Sequence, residues 1–294
     1  MLHKYLRAVG FSKARTRQDL NNIINIAVRD AKEKAYTTID DDILYSEYHC
    51  EVASRIGVCV RGEYDDNNKF IFDYYFPYLD GKGISTYEDV SIEKQVEKLS
   101  FAGVVDDYKI GISLIFFVNK IITYMKYLGA DRLPLRGTSL TLSGLSDQGT
   151  ILLPISKNEE DIRRTYEINM RKSRMLREAV SGNEQAIESL TISDMDTINN
   201  VNVRVRQEDI YSLVDTCFMP YGVECDLYSI LGEITSVELF TNKYTGEEVY
   251  VLTLNVNDLI FDVCVNKLDV VGEPEAGRRY KGTIWLRGSI NVPE

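Results

Sequence analysis

The chain has 294 residues, enough for about two domains at roughly 100–200 residues each. Hydrophobic residues make up 44% and charged residues 27%, a folded balance that excludes disorder, collagen and coiled coil as dominant states. With 34 Lys and Arg against 45 Asp and Glu the net charge is −11, so binding to phosphate backbones or anionic lipid would need a strong local basic patch.

Residues 1–11 lack the apolar core of a signal peptide, and a cytoplasmic protein is expected. Thr16 precedes an apolar series at Leu20, Ile23, Ile24, Ala27, Val28 and Ala31. That period behind a threonine cap predicts a helix over 17–34. Residues 43–52 and 56–63 have strand composition. Asp65, Asp66, Asn67 and Asn68 form a turn, so 56–64 and 69–76 are predicted to pair as a hairpin. Pro77 is expected to end it, because proline cannot donate to a ladder. Residues 90–96 alternate weakly and read as a strand or a short helix.

Residues 110–128 are apolar around most of a helical circumference, with a polar stripe at Ser113, Asn119, Lys120, Thr123 and Lys126. The pattern predicts a buried helix stopped by Gly129, interrupted by charge too often for a membrane span. A second hairpin is predicted from 138–142 and 150–155, around Ser146–Gly149. Asn158 should cap a charged helix reaching Val180, and 183–190 and 194–205 read as shorter helices.

From Tyr221 the pattern changes to strands at 227–240, 248–256, 259–265 and 279–290, with a loop rich in Gly and Pro before the last. Many short strands in so little chain match a small barrel of OB type. The fold class predicted is α+β: a mixed sheet-and-helix domain over 1–205, a linker over 206–226, and an OB-type antiparallel β-barrel over 221–294. At about 74 residues the barrel is expected to fold alone, with low stability.

The chemical inventory is thin. The cysteines are Cys50, Cys59, Cys217, Cys225 and Cys264, with no C-x-x-C spacing, and the only histidines are His3 and His49. No transition metal and no cofactor is expected from that set. Gly144–Gly149 misses the spacing of a nucleophile elbow, and Gly81–Gly83 misses that of a phosphate loop. Among the acidic pairs, Asp106 and Asp107 are the first candidates for acid–base or metal-assisted chemistry. In the barrel, Tyr228, Tyr244, Tyr250, Arg279, Lys281 and Arg287 are the candidate contacts for a single-stranded nucleic acid or another ligand. However, 221–294 carries 12 acidic and 6 basic residues, so nucleic acid is not expected. Alternation along the last strand predicts one buried aromatic face with the charged residues outside.

Segments 5–11, 75–78, 218–226 and 272–285 resemble a bacterial family known only as a domain of unknown function, and the resemblance spans nearly the whole chain. It implies a bacterial cytoplasmic protein and supplies no activity or catalytic residue. The function expected is a non-catalytic binding or adaptor module, its partner an unidentified protein or small ligand, with no membrane role and with a homo-oligomer left open. The competing class is a hydrolase or transferase using Asp106 and Asp107. A third reading is a single-strand nucleic-acid binder.

Overall fold

The computed structural model describes residues 2–39, 43–94, 101–107, 109–122, 125, 138–154 and 215–291. A 3-10 helix, Lys4–Val9, is followed by helix α1, Arg17–Arg29. The cap is the one expected. Thr16 Oγ1 accepts the Asp19 N–H at 3.1 Å, and the Asp19 carboxylate accepts the Thr16 N–H at 2.8 Å. The helix stops at Arg29 rather than 34, because Lys32 N–H already bonds His49 O and Glu33–Ile39 forms strand β1. Its run Tyr36, Thr37, Thr38, Ile39 is aromatic and β-branched, which favours the extended chain.

Strands β2 (Ile43–Ala53), β3 (Ile56–Tyr64) and β4 (Phe70–Leu79) complete an antiparallel sheet in the order β1-β2-β3-β4. The β3–β4 turn is built as predicted, with Asp65 Oδ1 accepting the N–H groups of Asn67 and Lys69. Pro77 does not end β4. It lies opposite Val58 inside the strand, which is tolerated because β4 is the edge of its sheet.

The second sheet uses β5 (Val90–Lys94), β6 (Phe101–Asp107), β7 (Ile112–Val118), β8 (Ser139–Leu152), β9 (Cys217–Pro220), β10 (Leu227–Thr241), β11 (Glu248–Val256), β12 (Leu259–Asn266), β13 (Val270–Val271) and β14 (Arg279–Asn291). Its order is β13-β8-β12-β11-β10-β14-β7-β6-β5, with β9 on β10. Because β8 also pairs with β14, the strands β8-β12-β11-β10-β14 close into a five-stranded barrel. The β8–β12 pair is parallel, so the barrel is mixed rather than antiparallel. The protein is mainly β, with few helices among the described residues.

Two expectations fail here. Where a buried helix is predicted over 110–128, the described residues form β7, followed by a helical turn at Ile121 and Ile122, while 123, 124 and 126–128 lie outside the described residues. Five of the seven β7 residues are β-branched or aromatic, and such a short apolar run suits a buried strand as well as a helix. The hairpin around Ser146–Gly149 is one continuous strand, β8. Gly149 makes room rather than a turn: a Cβ there would lie 2.2 Å from the Tyr280 ring. Gly149→Ala should therefore cost about 1–3 kcal/mol through overpacking, measurable by urea unfolding. The predicted helices between Asn158 and 205, and the linker up to residue 214, lie outside the described residues.

One apolar cluster fills the barrel, with Leu142, Ile230, Leu252, Val263, Tyr280, Ile284 and Leu286 among its members. The other joins the outside of the barrel to the four-stranded sheet, the 3-10 helix and α1. Arg55, at φ +65 in the β2–β3 turn, ties the two bodies by bonding Asp262 and Glu238, each at 2.7 Å. Among the described residues no helix is long and apolar enough to cross a membrane.

Candidate functional site

The residues singled out in the sequence do not assemble into one site. Asp106 is exposed and accepts from Ser113, whereas Asp107, its neighbour on β6, is buried and accepts the Lys109 N–H. Alternation sends the two carboxylates to opposite faces. Tyr228 is buried, its hydroxyl spanning the Ile115 N–H at 2.8 Å and the Ile115 carbonyl at 3.2 Å. Tyr244 bonds Asp30 from the β10–β11 turn, and Tyr250 packs against the barrel core. Arg279 is buried and donates to Leu153 O, while Lys281 stands opposite Leu231 and Thr150. Of these side chains Tyr228 and Arg279 are buried.

Alternation along β14 predicts its charged residues outside, yet Arg279 is buried and Arg287 fully so. Arg287 lies two residues beyond Trp285 on β14, so both project to the side that faces the four-stranded sheet. Its guanidinium carbon is 4.3 Å from the Trp285 ring centre, 4.5 Å from that of Phe76 on β4 and 4.7 Å from that of Phe117 on β7. These aromatic faces attract the cation. Nε donates to Asn119 Oδ1 at 2.6 Å, and Asn119, just beyond β7, is pinned by its own N–H to Gly288 O. The two terminal nitrogens, Nη1 and Nη2, have no hydrogen-bond partner. A buried guanidinium end with no acceptor is costly and calls for an explanation.

The Trp285 indole is also the wall for two other unsatisfied groups. His3 lies 4.6 Å from it and Tyr5 stacks on it at 5.6 Å. His3 Nδ1 and the Tyr5 hydroxyl are buried and without partners. Trp285 Nε1 donates to Asp226 at 2.7 Å, so this carboxylate is already engaged. Burial pushes the Asp226 carboxyl up from its ordinary value, against the pull of that bond. Burial draws Arg287 down to about 9, which leaves it charged at neutral pH. Arg287, His3 and Tyr5 thus present unpartnered polar atoms and a positive charge around the Trp285 ring.

Burial, then the charges of Arg287 and Lys4, take His3 down to about 3. The folded chain keeps this ring neutral, whereas the unfolded chain protonates it near 6.5. The stability so contributed is complete above that value and is lost as pH falls toward 3. By pH 5 the loss should be about 2 kcal/mol at most, and His3→Gln should flatten this part of a stability–pH curve measured by urea unfolding.

A second group of buried polar residues is joined to Arg287 through Asn119. Arg61 donates to Asn119 O at 3.1 Å and to Glu47 Oε1 at 3.0 Å, and its guanidinium lies 4.5 Å from the Phe76 ring centre. Phe76 therefore touches both arginines. Burial alone would raise the Glu47 carboxyl, but Arg61 and His49 overcome it and take the group to about 2. His49 and Cys59 complete this cluster, the one grouping of possible metal ligands found among the described residues. None of the four was singled out in the sequence. The available signal was Glu47 and His49 two apart on one strand, with Cys59 and Arg61 two apart on the next.

A family profile described as "Domain of unknown function, E. rectale Gene description (DUF3881)" matches residues 6–288. No curated protein and no solved structure gives a match.

Proposed function

The chain belongs to the DUF3881 family, a domain family of unknown function, and from that premise we propose a non-catalytic binding protein whose ligand is a small organic carboxylate held by Arg287. The observation that carries this reading is the buried guanidinium whose Nη1 and Nη2 have no partner. A planar fork with two free ends matches a carboxylate, which accepts two parallel hydrogen bonds. The rings of Phe76, Phe117 and Trp285, 4.3–4.7 Å from the Arg287 guanidinium carbon, hold the fork in place.

We also read the barrel as an OB-type barrel with a rearranged chain order. The meander β10-β11-β12 is closed by β14 and by β8, the latter supplied from upstream. OB barrels bind strands of nucleic acid across their second and third strands. Here Val249 and Val251 on β11 and Cys264 on β12 belong to the cluster that packs against the 3-10 helix and the first sheet. That cover favours a small ligand over a nucleic acid.

The test is a thermal-shift and calorimetric survey of small aromatic and aliphatic carboxylates, each beside its neutral amide. Carboxylates should raise the melting temperature of the wild type, and their amides should not. Arg287→Met should abolish the effect. That variant should itself be about 1–4 kcal/mol more stable without ligand, because it removes a buried charge while keeping an apolar stem. Shifts that persist in Arg287→Met, or no shift from any carboxylate, would overturn the reading.

A further inference from the structure

The β2–β3 ladder brings together a group the carboxylate reading does not use. His49 stands directly opposite Cys59, and Glu47 opposite Arg61, with all four side chains on one face. Glu47 Oε1 lies 3.0 Å from His49 Nε2, and Cys59 Sγ lies 3.4 Å from that oxygen and 3.7 Å from that nitrogen. All three residues are buried.

A nucleophilic triad would set the base between its partners, one ring nitrogen for each. Here the carboxylate and the thiol both approach Nε2, while Nδ1 has no partner. Donor atoms converging on one another is the arrangement of an ion's coordination shell. With bonds of about 2.3 Å to sulfur and about 2.0–2.1 Å to nitrogen and oxygen, a tetrahedral zinc ion spaces its donors by about 3.3–3.6 Å. The observed triangle brackets that spacing.

We infer that Glu47, His49 and Cys59 form a site for one divalent metal ion of zinc type, with a fourth position for water or an added ligand. The sulfur, imidazole and carboxylate set suits zinc over magnesium or calcium, which take oxygen. Binding forms one bond from the metal to each of Sγ, Nε2 and Oε1. The Cys59 S–H bond breaks and its proton goes to solvent, and His49 gives up the Nε2 proton that faces Glu47 while Nδ1 takes one up, so the ring stays neutral. The thiolate offsets one charge of the ion, and the Glu47 carboxylate is shared between the ion and Arg61, whose Nε and Nη2 donate to the same Oε1 at 3.3 and 3.0 Å. Arg61 stays on Glu47 and orients it, as outer partners of metal ligands do. The count of histidines and cysteines argued against zinc; strand register supplies what spacing along the chain cannot.

The full chain is refolded with Co²⁺ as a spectroscopic probe, since the ligands are buried. The expected result is one equivalent bound, with a thiolate-to-cobalt charge-transfer band. Cys59→Ser should lose the band, and Cys225→Ser, an exposed control, should keep it. X-ray absorption on the zinc-loaded wild type should show one sulfur neighbour and at least one imidazole, a readout that needs no variant. The inference is overturned by a folded wild type without the band, by a band that survives Cys59→Ser, or by a zinc shell without sulfur or with two sulfurs.

Discussion

Replacing Glu47 by alanine should destabilise the folded chain by about 3–5 kcal/mol, the usual cost of removing one partner of a buried ion pair. Both side chains are 1% exposed, so solvent cannot replace the lost carboxylate. The Arg61 charge would then face Phe76, Phe117 and the nearby Arg287 with its main anion gone. Urea unfolding of Glu47→Ala reads the cost. The double variant Glu47→Ala with Arg61→Met should recover most of it, because the stranded charge leaves with the arginine. A single-variant cost below about 1 kcal/mol, the range of an exposed pair, would show that the pair is hydrated in solution.

The second large effect concerns the barrel. A fragment over 221–294 contains the barrel strands β10, β11, β12 and β14 and the two-residue β13, but not β8. In the whole chain β8 runs beside β12 on one side and β14 on the other. Without it the barrel is an open sheet whose long edges carry unpaired N–H and C=O groups. The fragment should show no cooperative melt and no dispersed amide spectrum. Adding a synthetic peptide of residues 139–152 should restore structure. A cooperative transition in the fragment alone would show that four strands suffice.

The sequence was most readable where polar turns punctuate alternating strands. The turn at Asp65 and the strands flanking 242–246 were legible because the residues that bend the chain differ from those that pair. Readability failed where one composition serves two purposes. Gly144 and Gly149 in β8 look like turn residues, yet they leave space for Ile284 and Tyr280. The apolar run at 112–118 shows little period, because the end of β7 at Phe116–Val118 is covered on both faces, and length alone could not distinguish strand from helix. Pro77 misled because its strand's place at a sheet edge is a tertiary fact. The site was least visible. Arg287 stood among the candidates, but as a solvent-facing groove residue. Its burial follows from the first sheet covering that side of β14, which alternation within one strand cannot reveal. Glu47, His49, Cys59 and Arg61 become neighbours only once the β2–β3 register is known.

The distance along the chain between the two strands that seal the barrel has a consequence for biosynthesis. Arg279 bonds Leu153 across 126 positions. At the roughly 5–20 residues per second of translation, β8 leaves the ribosome on the order of 10 s before β14 can reach it. For most of that interval, until β12 emerges, a 14-residue strand has neither of its lasting barrel neighbours, and its apolar face is open to other nascent chains. Pairings so remote in sequence also form slowly once the chain is released. A stop codon anywhere ahead of β14 would therefore leave the early strands as adhesive edges, and the cell would meet such products as aggregates rather than as shortened, working protein.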